Sequence, residues 1–326
     1  MGYSIMITAP DLDPKALTLL DALGASVFIA PAYSSEEELA TIAAREQVDA
    51  IIVRVGQLTA QVIDASPKLR VLSKGGIGVD NVDVEHATAK GIVVTNTRYS
   101  NSQSVAEQAL GMIIGLLKDF IRLDASVRAG NWEKATYHGG ELRGRHIGLI
   151  GYGGNGRALA NLLKPFGVTI TVYDPYLGHN ADFTGVTRAG SIDDFIADID
   201  ILSIHCPRTT ESLGMIGRER LAKMKPTALV VNCARGGIID EDALVEALEK
   251  KQIAGAALDV FTVEPPDKNH PLWQFDNVHV SPHIAGVTSE AGEVSGRMAV
   301  ENIYKILDNK PIDLDCVINP DTLPRT

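Results

Sequence analysis

A histidine late in the chain, with two carboxylates before it, has the residue types of an acid–base pair. His283 follows an apolar run at 278–281, whereas Asp259 and Glu264 lie within and just beyond another run at 256–260. A lone histidine at a strand end is more often a satisfied core residue than a catalyst. A carboxylate beside the ring, however, fixes its tautomer and makes it a usable acid near neutral pH. Asp259 must also find a hydrogen-bond partner if its strand is buried, because an unpaired buried carboxylate is costly.

An arginine supplies a second functional group at a similar position. Arg235 follows the apolar run 228–233 and precedes Gly236 and Gly237. Its planar fork of donors matches a carboxylate and can also reach an adjacent carbonyl oxygen. A surface arginine in a glycine-rich turn is an equally weighted alternative for this segment alone. With His283 as proton donor and Arg235 as clamp, the pair has the groups that hydride transfer to a 2-keto acid needs beside a nicotinamide.

Residues 146–174 form a candidate dinucleotide site, in which an apolar run, a glycine-rich turn, a helical pattern and a second apolar run end on Asp174. Gly151 permits a tight bend, Gly153 lets the backbone approach a pyrophosphate, and Gly156 lets the helix approach the sheet. Asp174 can accept hydrogen bonds from an adenosine ribose and would repel a 2′-phosphate. A bare glycine motif is more often an ordinary turn, but these flanking elements favour a dinucleotide site that prefers NAD over NADP.

The elements that would position these residues alternate between strands and helices along the whole chain. Apolar runs predict strands at 4–8, 26–30, 50–54, 71–73, 92–95, 146–150, 169–174, 201–206, 228–233, 256–260 and 278–281. Helical periodicity predicts helices at 14–23, 35–45 and 84–89, one long helix from 101 to about 130, and a last helix at 289–307. Strands separated by helices imply parallel sheets covered on both faces.

This order predicts an α/β protein with two doubly wound parallel-sheet domains. At 326 residues the chain is too long for a single core of ordinary size. We expect a Rossmann-type NAD domain at 100–287, inserted in a flavodoxin-like substrate domain made of 1–99 and 288–326. The last helix comes after the nucleotide fold is complete, so it most simply returns to the first domain.

Composition excludes several classes of function. The net charge of −11 argues against a nucleic-acid partner, and no apolar run is long enough to span a membrane. The first residues are typical of a strand rather than a signal peptide. Cys206, Cys233 and Cys316 lack metal-binding spacing and cannot all pair, so we expect buried thiols, no metal site and a reducing compartment. Cytoplasm is the expected location.

The sequence resembles the D-isomer-specific 2-hydroxy acid dehydrogenases over nearly its whole length, and within them the catalytic half of phosphoglycerate dehydrogenases. The motifs that carry the resemblance are SKGGIGVDNVD at 73–83, the stretch from Asn96 through SVAE at 104–107, the glycine turn 151–156 with Asp174, HCP at 205–207, NCARG at 232–236, DVFTVEP at 259–265 and HIAG at 283–286. The resemblance implies an NAD-dependent dehydrogenase that interconverts a small 2-hydroxy acid and its 2-keto acid.

The resemblance also implies a role for each matched residue. Arg235 would orient the substrate, and His283 would be the acid/base with Glu264 as its partner. Asp259 would hold the nicotinamide carboxamide. Further implied cofactor residues are Gly154 and Asn155 at the pyrophosphate, with Cys206, Cys233, Ala234, Ala285 and Gly286 along the groove. In the first domain the glycines of segment 74–78, including Gly75 and Gly76, would offer N–H groups to the substrate carboxylate.

Two features of this sequence differ from the usual pattern of the family. The family often has a basic or polar residue followed by Ile or Val where this chain has Gly154 and Asn155, so cofactor contacts there would rely on the backbone. The chain also stops at Thr326, which leaves no room for the regulatory domain of many phosphoglycerate dehydrogenases. Serine feedback is therefore not expected.

The far end of the substrate is defined by fewer residues. Arg54 and Lys74 fall at predicted strand ends and predict a second anionic group, as in 3-phosphoglycerate or sulfolactate, although solvated surface charges are an equal alternative. Within the dehydrogenases, the alternative function is a glyoxylate or hydroxypyruvate reductase, and oxidation of formate or phosphite is a weaker alternative. Outside the enzymes, the alternative is an NADH-sensing binding module.

We also expect a homodimer with Trp132 and Tyr137 at the contact, although packing within one subunit explains these two residues nearly as well.

Overall fold

The chain forms two compact units in a computed structural model that describes residues 2–178 and 181–323. Met1–Asn101 and Val287–Thr326 together make one unit, here called the terminal unit. Ser102–Gly286 makes the other, here called the middle unit. The domain boundaries expected from the sequence lie one or two residues away, at 99/100 and 287/288.

The strands are short and follow the predicted order. They are β1 Ser4–Ile7, β2 Ser26–Ile29, β3 Ala50–Val53, β4 Val71–Lys74, β5 Val93–Thr95, β6 His146–Ile150, β7 Thr169–Tyr173, β8 Thr187–Arg188, β9 Ile201–Ile204, β10 Leu229–Asn232, β11 Gly255–Leu258 and β12 Val278–Val280.

The α-helices lie between these strands, except for α10, which follows β12. They are α1 Pro14–Ala22, α2 Glu36–Glu46, α3 Ala60–Asp64, α4 Val84–Ala89, α5 Ser102–Lys118, α6 Phe120–Arg128, α7 Gly154–Leu163, α8 Arg218–Lys223, α9 Glu241–Glu249 and α10 Ser289–Leu307. Short 3-10 helices follow at Lys164–Phe166, Ile192–Asp194, Pro271–Gln274, Leu314–Cys316 and Pro320–Thr322. None of the helices in the described ranges is long and apolar enough to cross a membrane.

The terminal unit contains a parallel sheet with strand order β2-β1-β3-β4-β5. This is the flavodoxin-like order. Every residue of the central strand β3 is buried, as expected for a strand covered on both faces. Helix α10 packs against α1 on one face of this sheet. The chain after α10 stays in this unit, since the backbone N–H of Ile318 donates to Val94 O at 2.8 Å.

The middle unit contains a seven-stranded parallel sheet with order β12-β11-β10-β9-β6-β7-β8. Counted within the unit, six of these strands have the Rossmann order 3-2-1-4-5-6, and β12 extends it. The order reverses between β6 and β9, so the crevice at their carboxyl ends is the expected ligand site. The predicted fold class, two doubly wound parallel-sheet domains of Rossmann and flavodoxin type, is confirmed.

The prediction of one helix from 101 to about 130 is wrong. Helix α5 ends at Lys118, Asp119 has φ +53, and α6 begins at Phe120. The last carbonyls of α5 bind a later loop, because the Tyr137 hydroxyl donates to Lys118 O at 2.8 Å and Gly140 N donates to Leu117 O at 2.8 Å. These bonds replace the helical ones that a continuing helix would need. No residue of α6 is buried, so no core packing holds the two helices in line.

Candidate active site

The glycine turn of the middle unit lies at the reversal point of the sheet. Gly151 follows β6 with φ +89, and a Cβ atom there would lie 2.7 Å from the backbone N of Cys206. A Cβ on Gly156 would lie 2.2 Å from Gly151 O. The turn therefore brings α7 against the start of its own loop at a separation that only glycine permits.

Polar groups at the start of α7 remain available to a ligand. Gly153 is the N-cap of α7, and as a glycine it has no side chain to accept from the first N–H groups of the helix. A Cβ built on Gly153 meets no heavy atom within 4 Å. The first N–H groups of a helix lack helical partners and attract anions. Asn155 Oδ1 is buried without a hydrogen-bond partner among the described residues. Gly154 is the first residue of the helix, next to this amide.

Asp174 follows β7 and is held by two backbone groups. Its Oδ2 accepts from Tyr152 N at 2.9 Å and its Oδ1 from Tyr176 N at 3.0 Å. Each carboxylate oxygen retains a further acceptor site for a ligand hydroxyl. Asp174 and Arg188 both line a pocket of about 370 Å³.

His205 and Cys206 follow β9, beside the turn. Burial lowers the pKa of His205 to about 4, so this ring is neutral at physiological pH. Its Nε2 lies 2.9 Å from Ser203 Oγ, and its buried Nδ1 has no partner among the described residues. Burial raises the pKa of the Cys206 thiol to about 12, and burial likewise raises the pKa of Cys233, so neither is a thiolate nucleophile near neutral pH.

Asn232 holds the turn that carries Arg235. Its Nδ2 donates to Arg235 O at 2.9 Å, and its Oδ1 accepts from Ala234 N at 3.0 Å. The Arg235 side chain is half-buried, and its Nη1 donates to Ala234 O at 2.7 Å. Asn232 belongs to the NCARG motif at 232–236, but no function was predicted for it from the sequence.

The Arg235 turn touches the loop that carries Glu264. A Cβ on Gly236 would lie 1.8 Å from Phe261 O, so these two backbones are in direct contact. Phe261 N in turn donates to Glu264 Oε1 at 3.0 Å. The structure therefore brings the Arg235 and Glu264 segments together, beyond the carboxyl ends of the adjacent strands β10 and β11.

Glu264 and His283 lie within hydrogen-bonding distance of each other. His283 Nδ1 lies 2.7 Å from Glu264 Oε2, and the two side chains are 46% and 35% exposed. Nδ1 is thus engaged by the carboxylate, and Nε2 makes no hydrogen bond within the described part of the chain. His283 has φ +56, a conformation that is uncommon for residues other than glycine and that recurs at functional sites.

Asp259 holds the backbone around His283. It is fully buried, and its carboxylate accepts from Ile284 N at 2.9 Å, from Ala285 N at 2.8 Å and from the Ser281 hydroxyl. Its carbonyl accepts from His283 N at 2.7 Å. The expectation of a hydrogen-bond partner for Asp259 is met by this loop. Ala285 is buried, and Gly286 ends the unit.

The remaining predicted residues lie in the terminal unit. Arg54 follows β3, and its Nη1 donates to Gly75 O at 2.6 Å. Lys74 ends β4, and its Nζ donates to Arg54 O at 2.8 Å and to Asn81 Oδ1 at 3.1 Å. Gly76 O accepts from Thr97 N at 3.0 Å. Arg54 is not a solvated surface charge, because its side chain is only 17% exposed.

Arg54 has a partner that was not predicted from the sequence. Asp11, which follows β1, accepts from Arg54 Nη2 at 2.8 Å and from Nε at 3.2 Å. The signal that could have found it is topological. In the observed sheet β1 lies next to β3, so the residues after both strands meet at one edge.

Comparisons with known proteins identify the family. Residues 110–285 match the D-isomer specific 2-hydroxyacid dehydrogenase, NAD binding domain. The chain is 40% identical over 305 residues to a D-3-phosphoglycerate dehydrogenase of Methanocaldococcus jannaschii, an alignment covering 93% of this chain and 57% of that one. It is 39% identical over 285 residues to a glyoxylate reductase of Thermofilum pendens, covering 84% and 82%.

A solved structure agrees over the whole chain. The glyoxylate/hydroxypyruvate reductase of Sinorhizobium meliloti, in complex with NADP and malonate, superposes with a TM-score of 0.86 at 28% identity, covering 100% of this chain and 99% of that one. The chain spans little more than half the length of the phosphoglycerate dehydrogenase that it matches. On these matches the chain belongs to the D-isomer specific 2-hydroxyacid dehydrogenase family, with the family's NAD binding domain at residues 110–285.

Proposed function

We propose that this chain is an NAD-dependent dehydrogenase that interconverts a small 2-hydroxy acid and its 2-keto acid. The observation that carries the proposal is the His283–Glu264 pair, with 2.7 Å between Nδ1 and Oε2, in the same unit as the glycine turn and Asp174. A histidine oriented by a carboxylate can act as a general acid and base. A dinucleotide-binding turn holds the nicotinamide cofactor that exchanges the hydride.

The residues of the middle unit fit NAD. The open space at Gly153, the free N–H groups of α7 and the unpartnered Asn155 Oδ1 suit a pyrophosphate flanked by a ribose. Asp174 suits the hydroxyls of an adenosine ribose and disfavours a 2′-phosphate. We assign the rest of the groove to Gly151, Gly154, Gly156, Cys206, Cys233, Ala234, Arg235, Ala285 and Gly286.

The proposed reaction uses the cofactor and the side chains of His283, Glu264 and Arg235. Bound NADH supplies the hydride. As negative charge develops on the substrate oxygen, protonated His283 donates from Nε2 while Glu264 retains the hydrogen bond to Nδ1. In oxidation, neutral His283 takes the hydroxyl proton. The Arg235 fork holds the substrate carboxylate and polarises the carbonyl.

Two buried residues support this set through the backbone. Asn232 fixes the Arg235 turn, and Asp259 fixes the loop around His283. Asp259 is fully buried, and both its oxygens accept hydrogen bonds from that loop. A contact of Asp259 with the nicotinamide carboxamide, as the resemblance implies, would use a remaining acceptor site on one of these oxygens.

For the substrate, we propose a 2-hydroxy acid with a second anionic group, similar to 3-phosphoglycerate or sulfolactate. Arg54 and Lys74 support this, because both lie at the carboxyl edge of the terminal sheet beside Gly75 and Gly76. A glyoxylate or hydroxypyruvate reductase is the second candidate. The Thermofilum pendens relative and the Asp11–Arg54 pair, which lowers the positive charge at this edge, favour it.

We also propose that the chain forms a homodimer through α6 and the segment after it. Phe120, Ile121, Val127 and Trp132 are 56%, 58%, 53% and 78% exposed, an apolar surface that association would cover. Tyr137, the other predicted contact residue, is half-buried beside this surface, and its hydroxyl donates to Lys118 O within the unit. Light scattering at the mass of one chain would contradict the dimer.

A keto-acid panel tests the activity directly. Purified protein is mixed with NADH and, separately, glyoxylate, pyruvate, hydroxypyruvate, 3-phosphohydroxypyruvate or 3-sulfopyruvate, and NADH absorbance is followed. We expect consumption with at least one of them, and formation of NADH from the matching hydroxy acid. NADH binding without turnover of any acid in either direction would contradict the proposal and favour a sensor.

A further inference from the structure

The guanidinium of Arg54 is already paired with a carboxylate of its own chain. Asp11 Oδ2 lies 2.8 Å from Nη2 and Asp11 Oδ1 lies 3.2 Å from Nε, so the pair is bidentate. Nη1 donates to Gly75 O at 2.6 Å. Three of the five N–H donors of Arg54 are therefore engaged, and Asp11 occupies the face best shaped for a planar anion.

The two partners differ in exposure. The Arg54 side chain is 17% exposed, whereas that of Asp11 is 54% exposed. Arg54 is fixed by Gly75 and lies close over that residue, since a Cβ on Gly75 would be 2.9 Å from Nη1. Asp11 is the more accessible member, and a ligand anion arriving from solvent would compete with it for the same donors.

Asp11 is ionised at neutral pH. Burial raises the pKa of its carboxyl, but the hydrogen bonds and charge of Arg54, with the charge of Lys74, outweigh burial and lower the pKa below its ordinary value. The cluster of Asp11, Arg54 and Lys74 therefore carries one net positive charge rather than two.

We propose that Asp11 is a specificity-determining residue, an internal counter-ion that competes with the distal anionic group of the substrate for Arg54. The inference rests on the proposed function and refines it. A dianionic acid must displace Asp11 from Arg54, whereas a singly charged acid need not. Asp11 thus reduces the preference for dianionic substrates that Arg54 would create without this counter-ion.

Asp11→Asn tests this, because the amide keeps the shape and removes the charge. Asp21→Asn is the matched control, since Asp21 is an exposed residue of α1 in the same unit and the change in net charge is identical. The readout is the ratio of kcat/KM for 3-phosphohydroxypyruvate to that for hydroxypyruvate, with NADH. We expect about a fivefold rise in the ratio for Asp11→Asn, the scale of a partly exposed ion pair, and no change for Asp21→Asn. An unchanged ratio in Asp11→Asn would overturn the proposal.

A binding measurement separates this inference from the proposed function. Calorimetric titration with inorganic phosphate, with NAD present at saturation to occupy the anion site of α7, needs no turnover, so it applies even if the keto-acid panel is silent. Asp11→Asn should bind phosphate about fivefold more tightly than the wild type and Asp21→Asn. Equal affinities in all three proteins would refute the competition whatever the panel shows. If Asp11→Asn melts early, Asp11→Ser replaces it in both assays.

Discussion

Two glycines of the same turn should respond in opposite ways to the same substitution. A Cβ on Gly156 would lie 2.2 Å from Gly151 O, whereas contacts under 3.0 Å are essentially never seen. Helix α7 must therefore shift by about 1 Å, an overpacking that costs about 1–3 kcal/mol and outweighs the gain of up to about 1 kcal/mol from alanine in a helix. At about 2–4 °C per kcal/mol for a unit of this size, Gly156→Ala should lower Tm by about 4 °C.

Gly153→Ala should instead leave stability unchanged and damage binding. The N-cap has φ −76 and ψ −152, which alanine can adopt, and its Cβ meets nothing within 4 Å. Tm should therefore stay within about 2 °C of the wild type. The added methyl group occupies the space that a pyrophosphate needs, so NAD affinity should fall by about tenfold or more.

Thermal melting by circular dichroism and calorimetric titration with NAD measure both effects. Gly111→Ala is the control, because Gly111 lies in α5 of the same unit with nothing within 4 Å of its built Cβ. It should keep NAD affinity and gain slightly in Tm. Wild-type NAD affinity in Gly153→Ala would refute the assignment of the turn, and a wild-type Tm in Gly156→Ala would refute the packing argument.

Three further predictions follow from the middle unit. Glu264→Gln should lower turnover about a hundredfold with little change in NADH affinity, because His283 loses the carboxylate at Nδ1; steady-state kinetics showing under threefold loss would contradict it. Asp174→Ser should lower the affinity for NAD and raise the affinity for NADP, each by about tenfold, since Arg188 lines the same pocket and can pair with a 2′-phosphate. Titrations with NADH and NADPH measure both affinities, and unchanged values would contradict the contact of Asp174 with the ribose. Burial lowers the pKa of His205 from 6.5 to about 4, so the folded protein binds fewer protons than the unfolded one across this window. Stability should therefore fall by about 2–3 kcal/mol between pH 7 and 4.5, and His205→Gln should fall less; equal losses in denaturant titrations would argue against it.

The fold was predictable because its signals are local and periodic. Apolar runs predicted every strand of both sheets except β8, and the glycine turn with the strand that ends at Asp174 predicted the Rossmann unit. The break at Asp119 was not predictable, because the apolar pattern continues through Phe120 and Ile121 and only the distant contacts of Tyr137 and Gly140 end α5. The short elements α3, α8 and β8, and the longer α9, were not predicted either. A strand of two residues such as β8 has no periodicity to detect.

The candidate site shows the same division. Arg235, Glu264 and His283 could be predicted as candidate catalytic residues, because each is a polar residue that follows an apolar run. The sequence could not show that Asn232 and Asp259 act through backbone hydrogen bonds, since these depend on loop geometry. It also could not pair Asp11 with Arg54, which are 43 residues apart and meet only in the folded sheet.

The most direct test of the central claim is the rate of NADH oxidation by His283→Asn with the preferred keto acid, measured beside its NADH affinity. The exposed His138→Asn is the control and should match the wild type. If His283 is the proton donor, turnover of His283→Asn falls by about a hundredfold or more while NADH dissociation constants stay within about threefold. Turnover within a few fold of the wild type would contradict the account.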